Sequence, residues 1–344
     1  MMQYLFYPND KKSTFTPYLN NCSFIMISRR IIRIKVMQSL YAFHSSPDQT
    51  INLAEKELFF SINKSYDLYH LLLQLLVDIR KYAQFRIEQN LNKKIPSQQD
   101  LNPNLKFVDN EILIKISENE ALAKYLEKSK LSWINNPELI KKLYTELVES
   151  EAYCDYMKHE TKSISEDRNL IEYFLTDIVA NSDDLYGILE EQSIYWNDDV
   201  EYVVSMIIKT LRKIKNSTNS SMSLLPLYKD EEDLEFTKTL FRKSVLNSKE
   251  YRDIIKKHLR NWDLDRIAFI DVLIMEMALC EFINFPSIPS KVSLNEYIDL
   301  ARFYSTEKSR TFINGILDKI LKSLKDEGKI SKTGRGLVGE IEQS

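Results

Sequence analysis

Six glycines and nine prolines in 344 residues leave this chain few places to turn sharply, against ordinary usage of roughly 7% and 5%. Leu, Ile, Lys, Glu and Asn are abundant, and residues of this kind favour long helices over strands joined by tight hairpins. The expectation is an all-α protein. Hydrophobic residues make up 44% of the chain, enough for one large core or two ordinary ones.

Apolar spacing predicts helices over 28–43, 51–90 with a break near Asn63, 110–130, 136–159, 165–181, 182–192 and 197–215. Further helices are expected near 230–247, 249–260, 263–284, 292–304 and 306–326. The polar run NSTNSSMS at 216–223 is the best linker, and the glycine-containing end EGKISKTGRGLVGEIEQS is expected to be disordered. Apolar runs such as LYHLLLQLLVDI are interrupted by polar residues at helical spacing, so no membrane span is expected. The first 25 residues lack the apolar stretch of a secretory signal, and Met26 offers an alternative start.

The net charge of -3 is unevenly spread. Lys and Arg against Asp and Glu give +4 for residues 1–50, -7 for 51–230 and 0 for 231–344. Nine acids and no Lys or Arg lie between Glu172 and Glu201, a poor surface for a phosphate backbone. Nucleic acid, if bound, should meet the ends of the chain.

Catalytic motifs are missing: no P-loop, GxGxxG, GxSxG or HExxH occurs, and the four histidines have no partner at ligand spacing. The three cysteines are widely separated, which fits a reducing cytoplasm and supports neither a zinc site nor a disulfide framework. No enzyme, metal or cofactor is expected.

Two helices carry a different chemistry. In SRRIIRIKVMQSLYAF, Arg29, Arg30, Arg33 and Lys35 precede Tyr41; arginines for phosphates with an aromatic for a base are the ingredients of single-stranded RNA binding. A solvated basic face is the plainer reading of the same cluster. In TEKSRTFINGILDKILKSL, Ile313, Ile316, Leu317, Ile320, Leu321 and Leu324 form one apolar stripe, with Phe312 on its flank one turn from Lys308. Phe312 is therefore either a stacking platform or a plug in the core. Trp262 is expected as a core anchor and Gly315 as a point of close helix packing.

A stretch of about 60 residues adds a resemblance. W..DRIA..D at 262–271, AL.E at 278–281, P.KV.LNE at 289–296 and EKS..F.NG.LDKI at 307–320 closely resemble the NusB family of transcription antitermination factors, and RRIIRIKVMQSLYAF resembles its first helix. The resemblance implies a bundle of two small helical subdomains, binding of single-stranded boxA-like RNA, partnership with the ribosomal protein NusE, and action on the RNA polymerase elongation complex at ribosomal RNA operons. It places Arg29, Arg30, Arg33, Tyr41, Lys291, Lys308 and Phe312 on the RNA face, and Asp271 toward NusE.

The interval between the first helix and the rest is some 180 residues, far longer than the family requires. The implied organisation is an extension at 1–27, a first helix at 28–46, an acidic helical insertion at 47–229, the remaining bundle at 230–326 and a tail at 327–344. NSDDLYGILEEQSIYWNDD at 181–199 also lies over NSKEYRDIIKKHLRNWDLD at 247–265, an offset of 66 that suggests a decayed duplication. Two rival functions follow from the same residues. One is a protein scaffold whose RNA face has decayed. The other is the NusB-like part of an RNA methyltransferase system, which would need a glycine-rich nucleotide loop and catalytic cysteines that this sequence does not supply.

Overall fold

The computed structural model describes residues 25–46, 48–159, 162–196, 198–214, 222–259 and 263–337. Among them are fifteen α-helices, short 3-10 turns, one π segment and no strand, so the all-α expectation holds. In chain order the first ten are α1 Arg29–Ser45, α2 Ile51–Leu91, α3 Gln98–Leu101, α4 Glu111–Ser117, α5 Glu120–Ser129, α6 Pro137–Glu149, α7 Glu151–Lys158, α8 Ile164–Tyr173, α9 Asp183–Gln192 and α10 Val200–Arg212. The last five are α11 Glu231–Leu246, α12 Ser248–His258, α13 Phe269–Asn284, α14 Ser290–Tyr304 and α15 Glu307–Asp326.

The chain divides into two compact units. Of the described residues, one unit gathers Ile27–Ile62 and those from Tyr228 onward; the other gathers Ile25, Met26 and those of Asn63–Leu227. The division falls within α2, which runs unbroken through the expected break at Asn63.

The first unit is built around α13. Every residue of that helix from Asp271 to Phe282 is buried, and α1, α11, α12, α14 and α15 all pack against it. A helix that is apolar on all sides can be stable in water only when surrounded in this way. On α15 the stripe Ile313, Ile316, Leu317, Ile320, Leu321 and Leu324 is buried as its spacing predicts. Its Gly315 is exposed, and a Cβ there would meet nothing within 4 Å, so close packing does not explain it.

The second unit is centred on the remainder of α2. Leu68, Tyr69, Leu71, Leu72, Leu73, Leu75, Leu76, Val77 and Ile79 are buried in the run that could have been mistaken for a membrane segment. No helix of the described residues is long and apolar enough to cross a membrane. The expected helix 110–130 is two helices, because the Asn119 side chain accepts from the Leu122 N–H and starts a new one. Ser150 does the same for Tyr153 and divides 136–159. Between α8 and α9 the chain passes through a π segment, Phe174–Ile178.

At the amino end of the described chain Ile25, Met26 and Ile27 are buried, and the Met26 N–H donates to the Pro226 carbonyl at 2.8 Å. At the other end the described part of the tail is seated, with Lys332 only 7% exposed. Trp262 lies outside the described residues.

Candidate RNA-binding face

All eight expected site residues belong to the first unit, and the start of α1 is its best-defined part. Arg29 donates from Nε to Asp233 at 2.9 Å and from Nη2 to Glu232 at 2.7 Å, and its guanidinium lies 5.1 Å from the centre of the Phe236 ring. Arg30 pairs with Asp299 at 3.1 Å and lies over the Phe303 ring at 5.6 Å. Both keep part of their side chains in solvent, 29% and 16%.

Arg33 is different. It is 3% exposed and grips Glu281 with two parallel hydrogen bonds, Nε to Oε2 at 2.8 Å and Nη2 to Oε1 at 2.6 Å, while Nη1 reaches Glu296 at 3.3 Å. Glu281 also accepts from the Ser293 hydroxyl at 2.6 Å and the Tyr297 hydroxyl at 2.9 Å. Burial is the largest single influence on both groups and works against each charge, but the ion pair, its hydrogen bonds and the neighbouring polar groups together outweigh it. The guanidinium is therefore held above its usual pKa and the carboxyl below the usual carboxylate range. The expectation that Arg33 contacts RNA phosphates is corrected: a guanidinium closed in on both sides is a lock that sets α1 against α13 and α14. Lys35 is buried as well, at 3%.

Helical spacing cannot separate Arg33 from Arg29, since residues one turn apart share a face. The distinguishing signal was present elsewhere. Glu281 closes the AL.E motif and Glu296 closes LNE, so two carboxylates of the resembling segments are the partners of one arginine in the first helix. Sequence reading alone also passed over Asp233, Phe236, Asp299 and Phe303, which hold Arg29 and Arg30.

At the other end of α1, Tyr41 is half-buried, its ring 5.6 Å from that of Phe269. His44 and Arg252 attend the same ring at 5.7 and 5.9 Å. Burial, then the Arg252 charge, lowers the pKa of His44. Asp271, expected to face a partner, is 3% exposed, and its Oδ1 is buried without a hydrogen-bond partner. That burial corrects the expectation of a surface contact.

Lys291 is exposed as the second residue of α14, and Lys308 is exposed as the second residue of α15. Phe312 is half-buried between them in character: neither closed in like Ile313 nor free like Asn314. The structure thus brings Arg29, Arg30 and Arg33 into one network with α11, α13 and α14, and leaves Lys291 and Lys308 as exposed cations at two helix starts. Among the described residues no group of His, Cys, Asp or Glu is placed to hold a metal ion.

This geometry meets the comparisons with known proteins at the same segment. The model of the NusB family matches residues 201–322. A relative from Salinibacter ruber, "Transcription antitermination protein NusB", is 44% identical over 115 residues, which cover 33% of this chain and 72% of the relative. The chain belongs to the NusB family. Relatives with the same description from Chloroherpeton thalassium and Finegoldia magna are 40% and 42% identical, over 30% and 27% of this chain and 49% and 68% of their own lengths. No solved structure matches. The linear match to the NusB model begins in α10, whereas the compact unit containing α11–α15 takes in α1 from far upstream.

Proposed function

We propose that this chain is a non-enzymatic, cytoplasmic RNA-binding factor of transcription antitermination. It recognises a short single-stranded boxA-type RNA together with the ribosomal protein NusE, and the complex acts on elongating RNA polymerase at ribosomal RNA operons. Membership of the NusB family and the printed description of its relatives support the general role. The observation that carries it to particular residues is the Arg33–Glu281 lock, which fixes α1 so that Arg29 and Arg30 stand at its solvent-facing start.

In this reading Arg29, Arg30, Lys291 and Lys308 contact phosphates, and Tyr41 and Phe312 offer rings to unstacked bases. Arg33 positions the helix. Asp271 influences NusE binding only through the start of α13, to which it belongs. Residues 47–229 bind protein rather than RNA.

The competing scaffold reading has one observation in its favour: Arg29 and Arg30 already have carboxylate partners within the fold. Fluorescence anisotropy of a boxA-type RNA at two salt concentrations, with and without NusE, separates the two. The RNA reading requires salt-sensitive binding strengthened by NusE and weakened in Phe312→Ala by about 1 to 3 kcal/mol, the range of a base–aromatic stack. An absence of RNA binding under all these conditions leaves the scaffold.

A further inference from the structure

The segment that follows α15 is bound to a single turn. Two residues past the end of α15, Gly328 has φ +66°, and the Lys329 N–H donates back to the Leu324 carbonyl at 2.9 Å, a helix stop. The returning strand of backbone then meets the carboxy-terminal end of α13. Lys332 donates from Nζ to the Phe285 carbonyl at 3.0 Å, and the Thr333 N–H donates to the Pro286 carbonyl at 3.0 Å. An ammonium at the negative end of a helix dipole is favourably placed. Gly336 closes the contact: a Cβ at that position would lie 2.1 Å from the Pro286 carbonyl oxygen, so only glycine fits.

The turn held in this way leads to two members of the candidate RNA face. Chain continues from Pro286 through Pro289 into α14, whose second residue is Lys291. The Phe285 ring lies 4.9 Å from the Phe236 ring, and Phe236 is the surface under the Arg29 guanidinium. We infer that residues 329–337 are a strap whose Lys332 and Gly336 are positioning residues for RNA binding, acting through Phe285 and Pro286 on Lys291 and Arg29. This rests on the RNA-binding reading above, and it adds a part of the chain that never touches the RNA.

The test is a double-mutant cycle on the full chain with a labelled boxA-type RNA. Gly336→Ala is expected to lower affinity roughly tenfold and to reduce the slope of log affinity against log salt by about one, as when one phosphate contact is lost. In a Lys291→Ala background the same change is expected to have a much smaller effect, because the contact it positions is already gone. Amide hydrogen exchange across 285–292 should accelerate in Gly336→Ala while that of α2 is unchanged. Should Gly336→Ala fail to fold, Lys332→Met takes its place, with Lys332→Arg restoring affinity. Full affinity in a variant whose turn exchanges faster, or equal losses with and without Lys291, overturns the strap while leaving the RNA reading intact. A wild-type chain that binds no RNA overturns both, and is told apart by the first titration.

Discussion

Two hairpins of this molecule, one in each unit, bury several matching positions and satisfy one of them in opposite ways. With the offset of 66, buried Asp167, Leu170, Phe174, Leu175, Leu185 and Leu189 of the second unit correspond to buried Asp233, Phe236, Leu240, Phe241, Tyr251 and Ile255 of the first. α9 ends at Gln192 and α12 at His258, again 66 apart. The six matched burials and the two helix ends share one register.

The difference lies in who answers the buried carboxylate. Asp233 accepts from Arg29, a cation that also faces solvent. Asp167 accepts from the Tyr156 hydroxyl at 2.6 Å and the Glu111 N–H at 2.7 Å, both neutral. One hairpin therefore holds a positive charge where a phosphate could reach it, and the other closes its carboxylate inside the unit. A common packing frame sets no function; the donors that satisfy its buried acid do.

The comparison can be broken or sharpened by four measurements, taken from the largest expected effect. Arg33→Ala strands Glu281 as a buried charge and should cost about 3 to 5 kcal/mol in chemical denaturation; a loss below about 1 kcal/mol would mean that the lock is not what holds α1. The second concerns His70, which is 1% exposed and stacked on Tyr125 at 3.7 Å. Burial pushes its pKa down to about 4.

Unfolded, this histidine would titrate near 6.5, so between pH 6.5 and 4 the unfolded chain binds the extra proton. Its contribution is fully present above pH 6.5 and is lost as pH falls toward 4, by on the order of 2 to 3 kcal/mol. Subtracting the pH–stability curve of His70→Phe from that of the wild type isolates this loss, and two parallel curves would refute it.

Third, Asp167→Ala should cost about 1 to 3 kcal/mol by leaving the Tyr156 hydroxyl and Glu111 N–H without their acceptor, with RNA affinity unchanged. A fall in affinity would contradict the separation of roles between the hairpins. Last, Asn119→Ala removes the cap that divides α4 from α5 and should lower stability by about 1 kcal/mol in thermal or denaturant melts.

Much of the fold was legible because helical periodicity is local. The α15 stripe and the long buried run of α2 were both read from spacing alone, and both lie where spacing put them. Features decided by distant partners were not. Arg33 and Arg29 look alike in sequence, and only Glu281, 248 residues away, makes one a lock and leaves the other at the surface. The seating of Lys332 was hidden for the same reason, since a lysine among glycines reads as solvated chain until the Phe285 carbonyl is brought to it. Asn63 looked like a break, yet α2 continues through it, because one weak helix former costs less than the hydrogen bonds a break would forfeit.

The separation of Arg33 from Glu281 also sets an order of events on the ribosome. At roughly 5 to 20 residues per second, about 12 to 50 seconds pass between the synthesis of the arginine and that of its partner, and all of Asn63–Leu227 emerges in that interval. The helix bearing Arg29 and Arg30 must wait, unpaired at Arg33, until α13 has left the exit tunnel. A nascent chain halted between residues 233 and 281 already carries Glu232 and Asp233, the partners of Arg29, but still lacks Glu281, the partner of Arg33.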